Sequence, residues 1–352
     1  MLVEVSSLPL ISVLIPCHNA APWLKGAVDS VCAQSIRNLE ILIYDDGSTD
    51  ESGKAIDRLA ATDPRIVVMG EATNRGIVHV LNAMLKNARG TYIARMDGDD
   101  ICLPQRFEQQ LRFIEAGNAD LCGTWFQEFG GGIPRTVRWR HKPDELRAAM
   151  LFQNTICHPT VMAKREVFES FTYREDYNLA EDYDLYVRAL TQFRLANLPA
   201  TLLRYRRHRE QATYARRTRM EEVTCRVRLQ ALAAQGIEAS PEEQRIHNVI
   251  RAPQSIRSME DFDRIETWLL KLIGCFDDPD AQRTIASQWT RAAVRAAPLG
   301  WAMWRRYRGS PLRKLLGNRP TAASIDLAVL ATLRLDYRSR AFELLRRFGT
   351  SI

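Results

Sequence analysis

The sequence predicts an α/β fold, with a mostly parallel central sheet flanked by helices and a helical region after it. Two observations carry this. Four apolar, strand-like runs each end in polar or acidic residues, and the segments between them have helical spacing. That alternation is the pattern of βαβ units. Beyond about Glu210 only helical spacing remains.

The elements follow in order. Residues 11–16 form the first apolar run, followed by Cys17-His18-Asn19. Trp23, Ala27, Val28 and Val31 then recur at helical spacing. Residues 39–44 form the second run, ending in Asp45-Asp46-Gly47-Ser48-Thr49-Asp50, and Ala55, Ile56 and Leu59 mark the next helix. Residues 66–69 are the third run, before Asn74-Arg75-Gly76. Val80, Leu81, Met84 and Leu85 are again helical. The fourth run, residues 91–96, is β-branched and aromatic with one arginine inside it, and stops at Met96-Asp97-Gly98-Asp99-Asp100. Further on, Gly130-Gly131-Gly132 reads as a turn between strands that carry Trp125, Phe126, Val137 and Trp139. Residues 143–152 read as a short helix and residues 198–205 as a late strand.

All the acidic strand ends lie on one edge of such a sheet, the edge where open α/β sheets bind ligands. Three carboxylates in four residues, Asp97, Asp99 and Asp100, repel one another. A divalent cation with oxygen ligands relieves that repulsion; a solvated turn capping a helix near Pro104 is the plainer reading. Neither G-x-G-x-x-G nor G-x-x-x-x-G-K-[ST] follows any of the strands, which argues against a dinucleotide oxidoreductase and a P-loop ATPase. Carboxylates can hold a nucleotide by accepting from base N–H or ribose hydroxyls, and by binding a metal that neutralises a diphosphate. Arg75 would add a cationic contact.

Together these motifs resemble glycosyltransferase family 2, inverting nucleotide-sugar transferases with the GT-A (Rossmann-like) fold. The resemblance spans residues 9–215 and extends to Cys157-His158-Pro159-Thr160-Val161-Met162, Ala180-Glu181-Asp182-Tyr183-Asp184 and Tyr205-Arg206-Arg207-His208. It implies that Pro16, Asn19 and Asp46, with Asp45 as the alternative acid, line a uracil and ribose pocket. Asp97 and Asp99 match the family's D-x-D motif, Asp97 contacting ribose or metal and Asp99 binding the metal, Mn²⁺ or Mg²⁺. Asp182 matches the general base, and Glu181 is its alternative. His208 matches a histidine that approaches metal or diphosphate in some relatives; a solvated basic face around Arg204, Arg206, Arg207 and Arg209 is the other reading. His158 is read either as a core or turn residue or as a substrate contact.

Leu185, Ala189, Leu190 and Phe193 place Glu181 and Asp182 in the first turn of a helix, where the helix dipole favours the ionised carboxylate. The acids alone could equally serve only to cap that turn.

The chain has 352 residues and a formal charge of +7, enough for a large domain and a smaller one. These are placed at residues 9–215 and 216–352. The basicity is concentrated. Residues 281–325 contain no Asp or Glu but nine Arg and Lys, with Trp289, Trp301 and Trp304 among them. Tryptophan beside arginine suits an anionic membrane surface; a helical bundle with a basic solvent face is the alternative. No nucleic-acid motif accompanies the charge. No apolar run of 18 residues and no secretory signal are evident. The seven cysteines are scattered, which suits reduced thiols in a cytoplasmic protein, peripheral at the inner face of the plasma membrane if the basic tail binds lipid.

The expected activity is transfer of a sugar from a nucleotide donor, UDP by resemblance, to a hydroxyl of a glycan or lipid-linked acceptor in surface polysaccharide synthesis. The rivals are a nucleotidyltransferase and a non-catalytic sugar-nucleotide or membrane binding module.

Overall fold

In the computed structural model, residues 8–208, 217–252, 256–317, 322–336 and 339 are described. The chain divides into two compact units, residues 1–143 with 154–227, and residues 144–153 with 228–352.

The first unit is built on one sheet. Its strands are β1 (Ile11–Cys17), β2 (Leu39–Asp46), β3 (Ile66–Glu71), β4 (Tyr92–Arg95), β5 (Ile101–Cys102), β6 (Leu121–Phe129), β7 (Arg135–Val137), β8 (Met162–Lys164) and β9 (Leu195–Arg206). Among the described residues their order is β3-β2-β1-β4-β8-β6-β9-β5, with β7 on β6. The half β3-β2-β1-β4 is parallel. In the other half β8 is antiparallel to both its neighbours and β9 runs parallel to β6, so the whole sheet is mixed. Helices α1 (Ala21–Cys32), α2 (Ser52–Ala60) and α3 (Ile77–Asn87) make the crossovers of the parallel half. β1 and β2 are buried on both faces, as continuous apolar runs require. β3 is an edge strand and leaves Val67 and Val68 exposed. Residues 143–150 form α5 and residues 106–115 form α4, both bounded as Pro143–Met150 and Arg106–Glu115. α6 (Arg165–Ser170) and α7 (Glu181–Ala189) precede β9.

Two details position the functional edge. Cys17 pairs with Asp45, so β1 and β2 finish close to one level, while Arg95 pairs with Leu14, so β4 stops short of Cys17 and the chain runs on through Asp97 to Asp100. Arg106 of α4 is fully buried, and its Nη2 donates to the carbonyls of Arg95 (2.8 Å) and Val161 (3.2 Å). It therefore fixes the last turn of chain before Asp97. β9 starts earlier than its apolar pattern suggests and carries Pro199 at an irregularity where the register shifts from Leu198–Thr124 to Thr201–Trp125. A bulge is where a strand tolerates a residue with no N–H.

The second unit is helical: α5, α8 (Arg217–Ala234) in its later part, α9 (Pro241–Arg251), α10 (Met259–Ile273), α11 (Pro279–Arg295), α12 (Trp301–Gly309), α13 (Pro311–Leu315) and α14 (Ala322–Leu333). The starts are encoded locally. Ser240 and Glu243 form a capping box, and Ser258 and Asp278 accept from the third residue of their helices. Phe262 and Trp289 stack at 4.1 Å in the core, so Trp289 packs inside rather than facing a partner. Among the described residues no helix is long and apolar enough to cross a membrane.

His247 is fully buried here. Its Nδ1 accepts from Trp268 Nε1 (3.0 Å), and its Nε2 donates to the Leu151 carbonyl (2.8 Å). Burial pushes the imidazole down from 6.5 to about 4. The unfolded chain binds that proton first, so stability is complete above about pH 6.5 and falls as the pH drops towards 4. The expected loss is on the order of 3 kcal/mol. Urea melts between pH 7.5 and about 4.5 measure it. His247→Gln keeps both hydrogen bonds and should flatten the step; an unchanged step would assign it to other groups.

Candidate active site

The loops after β1, β2 and β3 interlock. Asn19 sits at φ 51°, a left-handed conformation that asparagine tolerates. Its Oδ1 accepts from the backbone of Thr49 (2.8 Å) and Asp50 (3.3 Å), and its own N–H donates to Ser48 Oγ (3.0 Å). Asp45 accepts from Ser48 N (3.0 Å). Asp46 is buried, and its two oxygens accept from Arg75 N (2.7 Å) and Gly76 N (3.0 Å). Gly47 has φ +64°, and a Cβ there would lie 2.7 Å from the Asn74 nitrogen, so only glycine lets the loops close. Pro16 lies in β1 opposite Tyr44. The Arg75 side chain is half-exposed and reaches Glu71 at 3.4 Å. The structure thus brings Pro16, Asn19, Asp45, Asp46 and Arg75 to one edge. It gives Asn19 and Asp46 the work of holding that edge together.

The acidic cluster after β4 is tighter than its sequence alone shows. One oxygen from each of Asp97, Asp99 and Asp100 lies within 4.8 Å of the others. Asp99 Oδ2 is 2.9 Å from His208 Nε2, and the His208 ring packs against Trp23, tilted by 30° with ring centroids 4.3 Å apart. Asp100 is fully buried. Its Oδ1 accepts from Arg206 N (2.8 Å), while its Oδ2 has no partner among the described residues. Arg206 Nε donates to the Asp99 carbonyl (2.8 Å). β5 pairing with β9 is what brings these distant segments together. Burial, then the charge of Asp97, raises Asp99; burial above all holds Asp100 well above the usual carboxylate range. A buried orphan oxygen beside mutually repelling carboxylates and a histidine fits a hard divalent cation, whose charge would reverse both shifts.

The third group stands at the start of α7. Asp182 accepts from Asn154 Nδ2 (2.8 Å) and Tyr183 N (2.7 Å). Glu181 accepts from Leu179 N (2.9 Å), and Leu179 has φ 83°, a strained conformation for leucine of the kind held at functional sites. Burial raises Asp182 to about 6; burial and then the charge of Asp182 raise Glu181 to about 7. The helix dipole alone would favour ionisation, but burial outweighs it here. Asp184 has a different task. It is fully buried and paired with Arg174 and Arg188.

Arg95 links the second and third groups. Its Nη2 lies 2.6 Å from Asp97 Oδ1, while Nε and Nη1 are buried without a partner among the described residues. Its charge favours the ionised forms of Asp182, Glu181 and Asp100. The buried Cys157 thiol beside them is pushed up by burial and by Asp100, Asp97 and Asp182. His158 is buried against Tyr173 OH (2.8 Å) and held neutral by burial and Arg95; it is a core residue. Arg95 and Asn154 carry no site role in the sequence reading, and Asp100 enters it only as one carboxylate of the acidic cluster. An arginine inside an apolar strand was the available signal for Arg95, because buried charges are rare without a task.

The family described as Glycosyl transferase family 2 matches residues 12–171. A putative glycosyltransferase, EpsE of Bacillus subtilis strain 168, is 32% identical over 207 residues, covering 56% of this chain and 73% of that protein. The chain belongs to glycosyltransferase family 2. A second relative, an uncharacterized glycosyltransferase of Haemophilus influenzae, is 29% identical over 218 residues, 58% of this chain and 68% of its own length. The fold of this family 2 member is shared with S. aureus TarS 1-349 in complex with UDP-GlcNAc, at 16% identity and a TM-score of 0.56 over 92% of this chain and 90% of that one. Mannosyltransferase PcManGT of Pyrobaculum calidifontis, in complex with GDP-Man and Mn²⁺, aligns at 19% identity and a TM-score of 0.50, over 93% and 88% of the two chains. The fold is GT-A, and glycosyl transfer replaces the nucleotidyltransferase reading.

Proposed function

We propose that this family 2 glycosyltransferase is metal-dependent and inverting, moving a sugar from a UDP donor to a hydroxyl of a glycan or lipid-linked acceptor in surface polysaccharide synthesis. One observation carries the reading: buried Arg95 lies 2.6 Å from Asp97 of the acidic cluster, and its charge also favours the ionised Asp182. The cluster can hold a diphosphate through a metal, and Asp182 can take a proton. That pairing fits a single in-line displacement, which inverts the anomeric centre.

Asp97, Asp99 and Asp100, with His208, would hold Mn²⁺ or Mg²⁺. When bound, the ion supplies positive charge to the leaving diphosphate. Asn19, Asp45, Asp46 and Arg75, with Pro16, form the nucleotide side. Asp182 removes the proton of the acceptor hydroxyl, and the Asn154 amide orients its carboxylate. Glu181 is the alternative base on the same turn. Arg95 favours the anionic Asp182 and holds one oxygen of Asp97. The structural relatives bind different nucleotides, UDP-GlcNAc and GDP-Man, so nucleotide choice is the sharpest test. Nucleoside diphosphate release from UDP- and GDP-sugars, measured with Mn²⁺ and with chelator, is expected to be metal-dependent and to favour UDP. Donor binding without turnover in the presence of acceptor extracts would instead identify a binding module. GDP release alone would overturn the UDP assignment.

A further inference from the structure

The helical unit carries a surface whose chemistry the transfer reaction does not use. On α12, Met303 and Tyr307 face the core, while Trp301, Arg305 and Arg308 recur at helical spacing on the outer side. Trp301 is 51% exposed. Arg306 turns elsewhere, onto Asp263 and Glu266. The end of α14 lies against the start of α12: a Cβ on Gly300 would meet Arg334 Nε at 3.1 Å and the Ala331 carbonyl at 3.6 Å. That contact sets Arg334 beside the start of α12, next to Trp301, and Val329 (42%) and Leu333 (57%) are exposed on α14 itself. An exposed tryptophan and three arginines therefore gather around α12, and exposed apolar side chains continue on α14. Among the described residues, none of Arg305, Arg308 and Arg334 has a carboxylate partner. No acidic residue occurs in the sequence from 281 to 325.

We propose that this Trp–Arg surface docks on an anionic lipid bilayer, peripherally and without insertion of a helix. Amphipathic indole suits the headgroup zone, aliphatic side chains reach the acyl boundary, and guanidinium groups pair with lipid phosphate. Exposed Trp301, with Val329 and Leu333 exposed on α14, does not suit nucleic acid, whose backbone offers only phosphate and sugar. A second copy of the chain would set this arginine cluster against another by symmetry, at an electrostatic cost. The docking goes beyond the donor assignment, because it needs neither nucleotide nor turnover.

Vesicle co-sedimentation of the full chain tests it. The protein should pellet with phosphatidylcholine vesicles containing about one third phosphatidylglycerol, and stay in solution with pure phosphatidylcholine; added salt should release it. Arg305→Glu with Arg308→Glu should lower binding by more than about tenfold. Trp301→Ser with Leu333→Ser should weaken binding to anionic vesicles at any salt concentration. Nucleoside diphosphate release in solution should be unchanged in both variants, which separates this proposal from the catalytic one. The salt titration uses the unaltered protein, so it decides the matter even if a variant fails to fold. Absence of the wild type from anionic pellets, or undiminished binding of the charge-reversed variant, overturns the proposal. So does a dimer in solution that Trp301→Ser breaks, because that surface would then belong to a second copy.

Discussion

Asp99→Ala should abolish transfer, lowering kcat by at least about 10³-fold, as loss of a main electrostatic stabiliser of a developing anion does. Asp99 is the member of the cluster held by His208, and its loss leaves Asp97 turned onto Arg95 and Asp100 tied to Arg206. The folded state disfavours the charge of Asp99, through burial and Asp97. Removing the carboxylate therefore relieves repulsion in metal-free protein, and the melting temperature in chelator should hold or rise. Mn²⁺ should raise the melting temperature of the wild type, because a ligand that binds only the folded state stabilises it. The variant should lose that rise. Chelation should silence the wild type, and Mn²⁺ should restore it. A variant that keeps both turnover and the metal-induced shift would remove Asp99 from the metal site.

Asp182→Asn should retain donor binding and lose about 10² to 10⁴ in kcat, the range of a positioned general base. The amide keeps the shape of the side chain and an acceptor for Asn154. Asp182 and Glu181 titrate as a neighbouring pair, at about 6 and about 7. The base works only when deprotonated, so wild-type kcat/KM should climb with pH across that interval and then level off. Stability runs the other way. A carboxyl raised by burial contributes most below its unfolded value of 3.8, and the contribution is lost as pH rises through about 6. Asp182→Asn should therefore melt higher than the wild type at neutral pH while being nearly inactive. Calorimetric donor titration with melting curves at pH 5 and about 7.5 checks both halves. An active Asp182→Asn paired with an inactive Glu181→Gln would move the base to Glu181.

The parallel half of the sheet was legible because β1 and β2 are buried on both faces and write continuous apolar runs. The acidic strand ends were legible because clustered carboxylates are costly in any fold. What escaped depended on partners far along the chain. Asp100 looks like its neighbours until Arg206 N reaches it from 106 residues away. Asn154 lies between elements and carries no periodic signal, yet it holds Asp182. The helix dipole predicted an easily ionised Asp182, because burial depends on what packs around a turn and not on the turn itself. The β9 irregularity was foreshadowed only by Pro199.

Residues 144–153 have a consequence for how this protein is made. Leu146, Met150, Leu151 and Phe152 are fully buried, and their segment is held by His247 and by Arg228 Nε, which donates to the Phe152 carbonyl (3.0 Å). Those anchors leave the ribosome 76 and 96 residues later. During synthesis the segment emerges with its oily side unmatched, in the middle of a sheet that is still incomplete. Nascent chains of this protein must therefore pass through a sticky intermediate that a chaperone would shield, and neither unit can be released whole by one cut in the backbone.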